Sequence, residues 1–281
     1  MQYTNVMAGR FIARPNRFIA HVEIAGQEEI VHVKNTGRCK ELLVPGAMVY
    51  VEHFPEGKRK TKYDLIAVEK VVEGLPVHGA MESDSALEFG GVVYSKADDS
   101  VGVVYSKADD SVGVIHSTPT NKKRTLLINM DSQAPNKVVQ EWLVAKEPFG
   151  KITYLKPECK HGDSRFDFYL ETETRKMFIE VKGVTLEENG VVMFPDAPTE
   201  RGVKHVQELC ACVEQGYAAV VIFVVQMSGM RYFTPNRRTH LAFAEALERA
   251  EACGVRMLAL SCAVTPDSLA INGGIPIHLA G

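Results

Sequence analysis

A chain of 281 residues, 46% hydrophobic and 24% charged, has the composition of an ordinary globular protein with length for two cores. Disordered, collagen-like and coiled-coil classes are excluded. Net charge is −3, against a generic polyanion binder, yet the charge is unevenly spread. Residues 1–62 carry ten Lys and Arg against six Asp and Glu, residues 63–120 three against ten, and residues 121–281 nineteen of each. A basic segment followed by an acidic one fits a local electrostatic footprint. The longest apolar run, Ala218 to Val225, falls far short of the ~20 residues of a membrane span, so no membrane partner is expected. Met1 to Asn16 has no secretory apolar stretch, and the irregularly spaced cysteines suit reduced thiols, so the expected location is cytoplasmic.

In chain order, Phe11–Ala13, Phe18–Ile24, Ile30–Val33, Met48–Val51 and Leu65–Val68 are short β-rich runs. Asn16, Gly26, Gly37, Pro45-Gly46, Pro55 and Gly57 punctuate them. Five short strands in this span predict a small barrel of the OB type. Gly91–Val101 is then repeated without change as Gly102–Val112. Two copies are too few for a solenoid, and each reads as strand plus turn, hence a hairpin or a duplication in a tolerant loop. From Leu126 the pattern becomes α/β. A helix is expected over Asn136–Lys146 with Val138, Val139, Trp142 and Leu143 inward, then strands at Ile152–Leu155, Arg165–Leu170 and Met177–Lys182. A helix over Thr199–Gln215 with Val203, Val206, Leu209 and Val213 inward, a strand at Ala219–Val225, a helix over His240–Ala252 and a strand at Arg256–Leu260 follow. The order predicts a mixed sheet flanked by helices. The domain division expected is 1–120 and 121–281.

Arg165–Leu170 and Met177–Lys182 read as a hairpin turning between Glu173 and Thr174, which sets Asp167 opposite Glu180 and Arg165 opposite Lys182. By alternation Phe166, Phe168 and Leu170 share one face with Met177, Ile179 and Val181, and Asp167, Glu180 and Lys182 share the other. Opposed carboxylates repel, and a divalent cation between them relieves this. Lys182 on the same face would orient or deprotonate a metal-bound water, a set suited to phosphodiester cleavage. The alternative is a surface hairpin in which Lys182 pairs diagonally with Asp167 and Glu180 meets solvent.

The Asp…Glu-x-Lys arrangement within helix–strand–strand–strand–helix–strand resembles the PD-(D/E)xK nuclease superfamily. The longer strings RFIARPNRFIAHV, VKNTGRCKELLVPG, GDSRFDFYL, FIEVKGVTL and FPDAPTERGVKH closely resemble the sugar fermentation stimulation protein A family, over all but roughly residues 72–122. The resemblance implies an α/β (α+β) two-domain chain: an OB-like domain binding DNA without sequence preference, and a nuclease-like domain. It also implies a regulatory link to sugar (maltose) utilisation, and nucleoid association becomes conceivable. It assigns Asp167 and Glu180 as Mg²⁺ or Mn²⁺ ligands and Lys182 as the motif lysine, with the Val181 carbonyl a further candidate ligand. Glu141 matches a position where some relatives add a carboxylate; the alternative is a solvated Glu paired with Lys137. Arg201, Lys204 and His205 open the second helix, where relatives place a basic residue near phosphate. The acidic insert at 72–122 departs from the family pattern and is expected to project from a loop tip.

Candidate DNA contacts are Arg10, Arg14 and Arg17 around Phe11 and Phe18, Lys34, Arg38 and Lys40 about the Asn-Thr-Gly-Arg turn, and Lys60 and Lys62 in the basic run that starts at Lys58. Phe11 and Phe18 are read as core, and Cys39 as a small core residue. Two functions follow: a largely sequence-independent DNA-binding regulator, or a metal-dependent nuclease. The oligomeric state is left open.

Overall fold

The computed structural model describes residues 1–35, 37–55, 59–72 and 124–279; the duplicated unit, nearly all of the acidic insert and Lys58 lie outside them. The first strands are β1 (Val6–Asn16), β2 (Ile19–Ile24), β3 (Gln27–Val33), β4 (Met48–His53), β5 (Tyr63–Val72) and β6 (Arg124–Asn129). Asn16 makes the first hairpin, its Oδ1 accepting from the backbone N–H of Phe18 at 2.9 Å and of Ile19 at 3.1 Å. Ala25 and Gly26 make the second with φ of 50° and 80°, the left-handed pair that matches strand twist. Pairing runs β3-β2-β1-β4-β5, and β3 also pairs with β5. That contact closes five strands into a ring, as the five sequence runs predicted. Alternate residues Ala20, Val22, Ile24, Val31, Val33, Val49 and Val51 fill it. The next strand differs from expectation: β6, placed by the sequence with the α/β pattern, pairs antiparallel with β5 at the ring's edge.

The remaining elements are α1 (Ala134–Lys146), β7 (Ile152–His161), β8 (Ser164–Thr172), β9 (Lys176–Val184), β10 (Leu186–Glu188), β11 (Val191–Phe194), α2 (Glu200–Glu214), β12 (Ala218–Val225), β13 (Tyr232–Pro235), α3 (Leu241–Ala252), β14 (Arg256–Thr265) and β15 (Ser268–Ile275). A mixed sheet runs β15-β14-β12-β9-β8-β7, with β9, β12 and β14 parallel. Val220 to Val225 on β12 are buried on both faces, and each such side chain contributes roughly 1.5–3 kcal/mol. Val138, Val139, Trp142 and Leu143 of α1 cover one face; Val206 and Leu209 of α2 and Phe243 and Leu247 of α3 belong to the core on the other. Thr199 caps α2, its Oγ1 accepting from Gly202 N–H at 3.0 Å.

Several element boundaries differ from the sequence reading. Helix α1 begins at Ala134 because Pro135 fits the first turn, where its missing N–H is no loss. Strand β7 continues through Pro157 to His161, which an edge strand permits. Strand β15 was not foreseen; its Gly273-Gly274 weakens the β pattern, and its pairing with β14 supplies what propensity lacks. A small third sheet, β10-β11-β13, was also missed. Among the described residues no helix is long and apolar enough to cross a membrane.

Polar contacts join the ring to the second half of the chain. Lys34 Nζ lies 3.0 Å from Asp131 and 3.3 Å from Asp64, both carboxylates buried. Gln226 Nε2, beyond β12, donates to the carbonyls of Asn129 and Asp131, each at 3.1 Å. Lys70 Nζ bonds Glu187 Oε2 at 2.6 Å. Each adds a partner to a buried polar group.

Candidate functional site

The β8–β9 register is the one the hairpin reading set: Leu170 faces Met177 and Phe168 faces Ile179, so the next pair outward is Asp167 with Glu180. The side-chain faces then depart from strict alternation. Phe168 and Leu170 pack toward α1, as expected. Phe166 instead packs with Phe178 in the opposite core, ring centroids 5.2 Å apart. Ladder pairing is interrupted beside Asp167, where Glu158 of the neighbouring strand has a φ of 49°. The break frees the Asp167 carboxylate to turn toward the end of β9: Oδ2 accepts from the Val181 N–H and Oδ1 from Asn136 Nδ2 of α1, both at 2.8 Å.

Glu180 is buried, at 2% exposure, which corrects the surface-hairpin alternative. Lys182 Nζ reaches Glu180 Oε1 at 2.5 Å, so this lysine pairs with Glu180 rather than diagonally with Asp167. His205 Nδ1 of α2 bonds the same oxygen. Arg201 Nε donates to His205 Nε2 at 3.3 Å, leaving Nδ1–H as the donor to Glu180. Glu180 Oε2 is buried and has no hydrogen-bond partner among the described residues. Burial resists the charge of Glu180, but the His205 and Lys182 bonds outweigh it and hold the carboxyl below its usual range. Asp167 is pushed the other way by burial and by the charge of Glu180, against the Val181 and Asn136 bonds and Lys182. Neighbouring carboxylates whose affinities for protons diverge mark a site rather than a solvated pair.

Could these residues hold a hard cation? Among the described residues no three or more His, Cys, Asp or Glu are grouped to hold a metal ion. The pair Asp167 and Glu180 supplies the oxygen donors such a cation prefers, and the partnerless Oε2 is a ready acceptor. The other three oxygens of the pair accept hydrogen bonds from Asn136, Val181, Lys182 and His205, so Oε2 is the position most open to such an ion. Glu141 is not part of it: the carboxylate is 57% exposed and accepts from the Met1 amino group at 2.6 Å, not from Lys137.

A cavity of about 570 Å³ on the ring is lined by Arg14, Arg17, Arg38 and Lys40 with Phe11 and Ile12. Four of the nucleic-acid candidates therefore converge. Arg14 is also structural, its guanidinium donating to the carbonyls of Arg17, Asn35, Gly37 and Arg38 at 2.7–2.8 Å. Arg10 bonds the Gly46 carbonyl at 3.1 Å outside this lining. Lys34 is drawn inward to Asp64 and Asp131, Lys60 and Lys62 are exposed, and Lys204 lies 3.6 Å from Glu208. Phe11 and Cys39 are core as read, but Phe18 is 45% exposed with the Arg17 guanidinium 4.7 Å over its ring. Asn136 was missed, and the contact of His205 with Glu180 was not visible. His205 neighbours Val206 and lies four residues before Leu209, so its helical position places it on the inward face.

Fold and site define a two-part protein, an OB domain followed by a mixed α/β domain with a buried Asp…Glu-x-Lys cluster. Residues 12–74 match a family model described as the SfsA N-terminal OB domain, and residues 133–268 one described as the sugar fermentation stimulation protein RE domain. The chain belongs to the sugar fermentation stimulation protein (SfsA) family. It is 46% identical to a sugar fermentation stimulation protein homolog of Desulfitobacterium hafniense (strain DSM 10664 / DCB-2) over 279 residues, 99% of each chain. It is 45% identical to that of Clostridium beijerinckii over 279 residues, 99% of this chain and 100% of the relative. Among solved structures, Pyrococcus furiosus SfsA in complex with Ca²⁺ aligns with a TM-score of 0.72 at 23% identity, over 99% of this chain and 98% of that one; at that identity the likeness is one of fold.

Proposed function

We propose that the chain binds nucleic acid through its phosphates at the ring cavity and cleaves phosphodiester bonds at Asp167, Glu180 and Lys182 with a divalent cation. The observation that carries this reading is Glu180 Oε2, a buried carboxylate oxygen with no partner beside a second carboxylate. Unmatched buried polar atoms are few in a folded protein, and this one lies beside a second carboxylate, where a cation would match it. Asp167 and Glu180 would hold the cation, which supplies Lewis-acid stabilisation of the charge that develops on the phosphoryl group. Lys182 lies beside Glu180, where it would orient the attacking water, and His205 with Arg201 fixes the Glu180 carboxylate. Binding of Ca²⁺ by the Pyrococcus furiosus relative supports a hard cation here, with Mg²⁺ or Mn²⁺ as the working ion.

A DNA-binding regulator that does not cut is the second reading, favoured by a cationic cavity whose residues need no metal. A place in sugar utilisation rests on the names of the relatives. The two readings share one prediction. Affinity for nucleic acid falls steeply with salt and varies little with sequence, and Arg38→Ala with Lys40→Ala lowers the slope of log affinity against log salt by about 2. Titrations across salt concentrations check it; equal binding at low and high salt would overturn it.

A further inference from the structure

Resting on the nucleic-acid reading above, we infer that the bound strand is single, passing from the ring cavity past Gly37 toward the carboxyl end of β9. Three observations carry this. The first is access: Glu180 and His205 are buried and Lys182 only 14% exposed in its side chain, so a stiff duplex cannot lay its backbone on them, whereas a flexible strand can be fed in.

The second is continuity. Gly37 lines the ring cavity and also a smaller one of about 160 Å³ shared with Gly183, Gln226 and Asp196. Gly183 directly follows Lys182, and both it and Gln226 lie at the carboxyl ends of the parallel strands β9 and β12, where ligands of such sheets bind. A Cβ on Gly37 would collide with the Asp196 carboxylate and come within 2.9 Å of Asn35 Oδ1, so any larger residue here would displace both side chains. The four carbonyl bonds of Arg14 hold the turn in place. The smaller cavity has room for part of one nucleotide and none for a base pair.

The third is chemical. Phe18 stands exposed at the rim with Arg17, a lining residue, over its ring. An exposed aromatic beside a cationic groove stacks unpaired bases, and a duplex offers it none.

The test measures fluorescence anisotropy of a labelled oligonucleotide, as a single strand and annealed to its complement, in EDTA at fixed salt, with the full chain and Phe18→Ala. Single-stranded probe is expected to bind at least about tenfold tighter than duplex. Phe18→Ala should weaken the single strand about fivefold or more and leave the duplex unchanged. Duplex binding as tight as the single strand, or an equal loss for both probes in Phe18→Ala, would overturn this inference and leave the phosphate-binding reading standing. Failure of both probes to bind would overturn the two together.

Discussion

Replacing Glu180 with glutamine removes divalent-cation binding and leaves the fold in place. Glutamine keeps the shape and an oxygen that accepts from His205 Nδ1 and Lys182, but it lacks the second anionic oxygen, which is the atom without a partner. Loss of a carboxylate ligand should weaken Mg²⁺ or Mn²⁺ binding by at least about a hundredfold, beyond the 10–100-fold typical of outer-shell partners. Calorimetric titration of each ion into wild type and Glu180→Gln checks this, beside a thermal melt to confirm folding. An unchanged affinity would show that Glu180 holds no cation. Alanine is the poorer variant, since it also leaves Lys182 and the His205 N–H unpaired in a buried site.

The largest stability effect is expected at Lys34. Its ammonium lies between Asp131, fully buried, and Asp64, at 1% exposure. Among the described residues, Lys34→Met leaves Asp131 without its cation and Asp64 with Arg59 and His32. Removing one partner of a buried pair costs about 3–5 kcal/mol, a fall in Tm on the order of 6–15 °C. Burial opposes the charge on Lys34, yet Asp131 and Asp64 overcome it and raise its pKa above 10.5. A raised lysine contributes stability that is fully present below 10.5 and is lost as pH climbs through the folded value. The Lys34→Met deficit should therefore be constant through neutral pH and shrink only in strong alkali. Thermal melts at pH 7 and above pH 11 check both parts, and a Tm within about 2 °C of wild type at pH 7 would contradict them.

Much of this is legible in the sequence alone. The ring strands show period-two alternation, and the β8–β9 register follows from a short turn between two apolar runs. Asp167, Glu180 and Lys182 were therefore placed at one end of the hairpin by counting alone. What could not be read depends on contacts distant in sequence. The break in the pleat at Asp167 follows from the irregular partner at Glu158 and the pull of Asn136 and the Val181 N–H. Lys34 reads as a DNA contact because its partners, Asp64 and Asp131, lie far along the chain. Phe18 looks like core because apolar residues usually are; its exposure reflects Asn16 turning the chain outward and Arg17 folding over the ring. Strand β15 carries glycines that propensity counts against, and β14 along one edge with Met1 and Gln2 at its start recruits it.

The central claim is that this chain cuts a phosphodiester with a cation held by Asp167 and Glu180. Supercoiled plasmid, whose underwound duplex exposes single-stranded stretches, tests it most directly when incubated with wild type, Glu180→Gln and Lys182→Ala in Mg²⁺, Mn²⁺ or EDTA. Nicking and band shift are read from the same samples. The account predicts nicking by wild type in Mg²⁺ or Mn²⁺, none in EDTA and none by either variant, with the band shift kept throughout. A shift without nicking under every condition, for wild type as for the variants, would contradict it and leave a nucleic-acid-binding protein.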